Sequence, residues 1–142
     1  MRDRLSASRR QTYRLFISHS WDYDDEYRRM VELLNEANRF EWHNYSKPKD
    51  APVETTSDAV LRRKLRNQIK KASVVVILGG LYVSHSDWIQ TEIDMAERRN
   101  EPIVGVRPWG NDSTPSAVRQ SADKLENWNT SSITDAIRDV AP

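Results

Sequence analysis

Apolar positions along this chain fall into two alternating rhythms. Short branched or aromatic runs recur at Tyr13–Ser18, Phe40–Tyr45, Val74–Leu78 and Ile103–Val106. Between them, apolar residues return every three or four positions: Tyr27, Met30, Val31 and Leu34; Leu61, Leu65, Ile69 and Ala72; Ile89, Ile93 and Ala96; Ile133, Ile137 and Val140. The first rhythm predicts strands and the second amphipathic helices. The run at Val74–Leu78 has no polar member, so it predicts a strand covered on both faces, inside a parallel sheet.

Polar residues punctuate the rhythm. Asp22, Asp24 and Asp25 open a helix that runs to about Ala37, where acids suit the positive end of the helix dipole. Pro48 and Pro52 make 46–56 an irregular loop. Gly79–Gly80 predicts a tight turn and short loop, and Ser84-His85-Ser86-Asp87 offers serine caps for the helix after it. Asn100-Glu101-Pro102 ends that helix. A loop at 107–115, a short helix at 116–124, an edge strand at 125–129 and a helix at 131–140 complete the pattern. Residues 1–12 hold little to bury and predict a flexible tail ahead of one domain at 13–142.

Five strands alternating with helices predict βαβ units with right-handed crossovers. The expected fold is α/β and flavodoxin-like: three layers around a doubly wound, five-stranded parallel sheet of order 2-1-3-4-5. Strands one and three are then neighbours where the winding reverses. The loops after them, 18–25 and 79–88, border one crevice, the usual place for a ligand in such sheets.

Composition narrows the classes of function. The chain has 142 residues, one domain's length, with 22 basic and 21 acidic side chains and a net charge of +1, which favours no polyanionic partner. Six of the basic residues, Arg62, Arg63, Lys64, Arg66, Lys70 and Lys71, share one helix; no aromatics interleave them, so a solvated face is expected rather than a nucleic-acid surface. No apolar run approaches the roughly 20 residues of a membrane span, and Met1–Thr12 has no apolar export segment, so a cytoplasmic protein is expected. There is no cysteine. His19, His43 and His85 lie on separate segments without short-spaced second ligands, so no metal is expected.

The loops exclude several chemistries. Ser18-His19-Ser20 and Gly79–Gly80 stand where a phosphorylated receiver would need acidic residues. No G-x-G-x-x-G or G-x-x-x-x-G-K-[ST] phosphate cradle occurs. The Ser/His pairs at 18–20 and 84–86 lie outside any G-x-S-x-G elbow. Trp88 and Glu92 sit four apart, neighbours on one helix face. A glutamate there is ordinarily a solvated surface acid, and a tryptophan there a boundary aromatic.

Leu15-Phe16-Ile17-Ser18-His19-Ser20 with its acidic helix start resembles the first box of the TIR (Toll/interleukin-1 receptor) superfamily. Ser86-Asp87-Trp88-Ile89-Gln90-Thr91-Glu92-Ile93 resembles its W-x-x-x-E helix. With FEWHNYSKPK, EPIVGVRPWG and NWNTSSITDAIR in order, the chain is similar, over roughly 13–140, to the bacterial and archaeal TIR-like family that includes the TIR proteins of Thoeris anti-phage systems. That resemblance implies cleavage of the nicotinamide–ribose bond of NAD+, used as substrate with no separate cofactor, to ADP-ribose or a cyclic or conjugated product in defence signalling. Carried over, Glu92 is the catalytic residue and Trp88 walls the pocket. Phe16, Ser18 and His19 face the crevice, Gly80 opens it, and Asn44, Tyr45 and Ser46 in the gating loop contact substrate. The chemistry is coherent on its own terms: an oxocarbenium-like transition state is stabilised by one nearby carboxylate, and nicotinamide leaves as a neutral base without a general acid. The resemblance also implies self-association or a signalling partner. Two alternatives stay open: a non-catalytic TIR-like assembly module, and a nucleoside deoxyribosyltransferase-like enzyme.

Overall fold

The computed structural model describes residues 11–19, 25–46, 58–110 and 113–142. The expectations for the tail at 1–10, most of the 18–25 loop and most of the proline loop fall outside these residues.

β3 (Val74–Leu78) is the centre of the molecule, and all five of its residues are buried. Its branched side chains pack above and below the sheet, and so it reads as an unbroken apolar run. β1 (Thr12–Ile17) pairs with it in parallel, Leu15 opposite Val74 and Ile17 opposite Val76. β2 (Glu41–Asn44) pairs with the outer edge of β1. On the other side lie β4 (Ile103–Val106) and then β5 (Lys124–Glu126). The order is β2-β1-β3-β4-β5, all parallel, as the alternation predicted.

The helices are α1 (Asp25–Glu36), α2 (Asp58–Lys71), α3 (Gly79–Ser84), α4 (Ser86–Arg98), α5 (Ser116–Ser121) and α6 (Thr130–Val140). α2, α4 and α5 pack in sequence along the sheet, and α1 packs with α6. α1, α2, α4 and α6 turn the centres of their predicted stripes inward: Met30 and Leu34, Leu65 and Ile69, Ile89, Ile93 and Ala96, Ile133 and Ile137 are all buried. Arg62, Arg63, Arg66, Lys70 and Lys71 of α2 are exposed, with Lys64 partly so. Among the described residues, no helix is long and apolar enough to cross a membrane.

Several boundaries differ from the expectation. Gly79–Gly80 is not a loop but the first turn of α3. Glycine's poor helix propensity is overridden by packing: a Cβ on Gly79 would lie 2.8 Å from the Val106 carbonyl oxygen and 3.2 Å from Pro108 Cδ. The serine caps are absent too. α3 runs to Ser84, and His85 joins it to α4, its N–H bonding Leu81 O at 2.8 Å while its carbonyl accepts from Ile89 at 3.1 Å. Two helices sharing one junction residue leave no free turn for a serine to cap. α4 stops after Arg98, with Arg99 as its C-cap and Asn100 following in the left-handed region (φ 56°). Glu101 N–H reaches back to Ala96 O at 3.0 Å and Asn100 N–H to Glu97 O at 3.0 Å, the paired bonds of a Schellman stop. The last strand begins at Lys124 and stops at Glu126, because Asn129 is used as a cap: its Oδ1 accepts from Ser132 N–H at 2.9 Å.

Candidate functional site

The C-terminal ends of β1 and β3 lie side by side where the winding reverses, and Ser18 ties them. Its N–H donates to Val76 O at 2.9 Å and its Oγ accepts the Leu78 N–H at 2.7 Å. The Ser18 hydroxyl is thus already part of the sheet's frame, and the residue is fully buried.

Glu92 is the unexpected residue. A glutamate on an amphipathic helix belongs in water, yet its relative exposure is 0%. α4 buries Ile89, Glu92, Ile93, Met95 and Ala96, so Glu92 lies inside the helix's core-facing arc rather than beside it. Its Oε2 accepts the backbone N–H of His19 at 3.3 Å. Taking a carboxylate out of water is expensive unless hydrogen bonds replace the lost hydration, and this bond supplies part of that replacement from the end of β1. A backbone donor cannot rotate away, so the carboxylate is fixed relative to the sheet.

The His19 side chain is equally enclosed, at 0% exposure. Burial lowers its pKa to about 3, against a smaller opposing pull from the Gln68 side chain on α2, so the imidazole is neutral at physiological pH. Its ring lies 5.5 Å from that of Phe16 and meets Tyr27 edge-on at 5.8 Å. Phe16 itself is fully buried.

The segment after β2 closes the other side. Asn44 Nδ2 donates to the Tyr27 hydroxyl at 2.8 Å, and its Oδ1 accepts the Ser46 N–H at 2.8 Å and the Ser46 hydroxyl. Tyr45 continues the β2 ladder through its N–H to Leu15 O at 2.9 Å, and its ring sits 6.4 Å from His43. Gly80 lies against α1: a Cβ there would collide with both carboxylate oxygens of Glu26. Trp88 is half-buried, one turn before Glu92, and the guanidinium of Arg62 covers its ring at 5.7 Å.

Of the nine residues singled out from sequence, Glu92, Phe16, Ser18 and His19 form a continuous buried group, and Asn44 and Ser46 reach it through Tyr27. Trp88 is engaged with α2 through Arg62 and Gly80 with Glu26. Tyr27, Gln68 and Glu26 were missed. Tyr27 read only as one member of an apolar stripe, and nothing in a periodicity distinguishes a core tyrosine from a bonded one. In the tryptophan loop after β4, Trp109 meets Trp128 at 5.2 Å and Arg29 at 5.4 Å, and remains 57% exposed.

A cavity of about 810 Å³ lies at the opposite edge of the sheet, lined by Glu97, Glu101, Pro102, Ile103 and Asp123 among others. Burial raises the Glu101 carboxyl above its ordinary value, and Arg99 and Arg14 oppose the shift. Among the described residues no cluster of three or more His, Cys, Asp or Glu side chains is arranged to hold a metal ion.

The sequence pattern of the Thoeris protein ThsB TIR-like domain matches residues 16–113. The chain belongs to that family. The match begins at Phe16 in β1 and runs beyond β4, so the TIR-like segment of this ThsB-family chain contains the Ser18, His19 and Glu92 group and the Asn44–Ser46 turn. β5 and α6 lie C-terminal to the matched segment and complete the sheet and its helical cover. No curated protein matches the chain.

Proposed function

We propose that this ThsB-like TIR domain cleaves the nicotinamide–ribose bond of NAD+, as an enzyme of anti-phage defence. The observation that carries the reading is the complete burial of Glu92 against the His19 N–H at the sheet's switch point. A carboxylate kept out of water at a ligand-binding edge costs stability and serves a charge that develops there.

In the proposed reaction the C1′–N bond breaks with its electron pair going to nicotinamide, which leaves neutral. The ribose becomes oxocarbenium-like, and Glu92, enclosed in the structure without substrate, meets that positive charge and the ribose hydroxyls when NAD+ enters. The neutral imidazole of His19 and the Phe16 ring supply a low-dielectric wall that strengthens the attraction. The cation is then captured by water, which loses a proton to solvent and gives ADP-ribose, or by a nucleophile of the same or another molecule, which sheds any proton it carries in the same way and gives a cyclic or conjugated product. Trp88 limits water at this step.

The test is mass spectrometry of products from NAD+ incubated with the concentrated protein and with Glu92→Gln. Nicotinamide release that disappears in Glu92→Gln is expected. Release that persists at the wild-type rate refutes the assignment of this residue. NAD+ left intact in every state of assembly supports the non-catalytic TIR-like reading instead.

A further inference from the structure

Tyr27 is absent from the site as the sequence outlines it, yet it touches both of its halves. Its ring packs edge-on against His19 at 5.8 Å. Its hydroxyl accepts from Asn44 Nδ2 at 2.8 Å and lies 3.5 Å from Ser46 Oγ, whose own proton goes to Asn44 Oδ1. His19 in turn gives its backbone N–H to Glu92. One side chain on α1 therefore connects the ends of β1 and β2, and through His19 the W-x-x-x-E carboxylate on α4.

We propose that Tyr27 is a positioning residue with two separable actions, an inference that rests on reading Glu92 as the group that meets the ribose. The ring holds His19, and with it the N–H that sets the carboxylate. The hydroxyl holds the Asn44–Ser46 turn beside the same edge. The parts are suited to these tasks. The His19 ring is held against aromatic neighbours, and an edge-on aromatic is directional where an aliphatic is not. Asn44 uses its carbonyl on Ser46 and its amide on Tyr27, so loss of the phenol frees one end of the turn. Neither action requires Tyr27 to touch substrate.

The two actions predict different kinetics for two variants. Tyr27→Phe keeps the ring and loses the hydroxyl, so KM for NAD+ rises about fivefold, the scale of one hydrogen bond, while kcat stays within twofold. Tyr27→Leu loses both, so kcat also falls about tenfold, because a displaced catalytic group costs rate directly. A role confined to folding would lower stability in both variants without this division.

The deciding readout needs no substrate. In 15N-labelled protein, the His19 amide resonance reports the bond to Glu92, and Glu92→Gln marks the position it takes when the charged acceptor is gone. Tyr27→Phe is expected to leave this resonance in place and Tyr27→Leu to move it toward the Glu92→Gln position. Tyr27→Met replaces Tyr27→Leu if the latter does not fold. An unmoved His19 amide in the apolar variant, or an equal shift in Tyr27→Phe, overturns the proposal. Wild-type protein that releases no nicotinamide refutes the reaction instead, and the His19 resonance still decides the role of Tyr27.

Discussion

The carboxylate of Glu92 and the backbone N–H of His19, 73 residues apart in the chain, meet at 3.3 Å inside the protein. Such a contact stores free energy in an unusual way. Gln at position 92 would keep the shape and still accept the His19 N–H, while removing the carboxyl that the proposed reaction needs. Glu92→Gln is expected to lose about a hundredfold or more in NAD+ cleavage. Its urea-unfolding free energy should stay within about 1 kcal/mol of the wild type's, since the His19 N–H keeps an acceptor. A variant that loses activity and stability together would show that the carboxylate is there for the fold.

The enclosed imidazole makes acid stability predictable in sign. The folded pKa of His19, about 3, lies below the ordinary imidazole value of 6.5. Between these values the unfolded chain binds a proton that the folded one refuses, so stability is lost as pH falls from about 6.5 toward 3, at up to about 1.4 kcal/mol per pH unit. The raised carboxyl of Glu101 acts in the opposite direction within part of that range. The informative quantity is therefore the difference between wild type and His19→Asn in urea midpoint from pH 7 to pH 4. It should narrow, then reverse, as the pH falls.

Ser18 gives a sharper test of frame against site. Ser18→Ala removes the acceptor of the buried Leu78 N–H. Leaving such a donor unsatisfied costs about 1–3 kcal/mol. Denaturant unfolding of Ser18→Ala should show that loss. An unchanged midpoint would mean that the strand ends are held without this hydroxyl.

The two adjacent glycines should respond differently. A methyl at Gly79 meets the Val106 carbonyl, which is fixed in a paired strand, so Gly79→Ala should cost about 1–3 kcal/mol. The nearest atoms that a methyl at Gly80 would meet belong to the Glu26 carboxyl, the end of a side chain rather than a strand carbonyl. Gly80→Ala should therefore cost less than Gly79→Ala, measured by thermal unfolding, while displacing the Glu26 carboxyl.

Much of this was legible in the pattern of side chains. The unbroken apolar run Val74–Leu78 announced a central parallel strand, and the alternation of periods gave the sheet order. What was hidden was local competition. Gly79–Gly80 looks like a turn because glycine is a poor helix former, and only the nearness of Val106 explains a glycine inside α3. Asn129 reads as part of a strand until Ser132 is seen to need a cap. At the site, the spacing of Trp88 and Glu92 was visible and the depth of Glu92 was not. Periodicity places a residue on an arc of a helix, whereas burial depends on what the neighbouring strand end brings to meet it. Tyr27 was hidden for the same reason, since its partners come from β1 and from the end of β2.

The sheet's two rims carry a consequence for how copies of this chain can meet. β2 offers four residues on one rim and β5 three on the other, and Glu41 and Lys124 place opposite charges there. Short, charged rims are poor templates for adding another strand. Extension of the sheet by a strand added at either rim is disfavoured by the shortness of those rims, so the five strands form a closed set whose continuity depends on β1, β3 and β4.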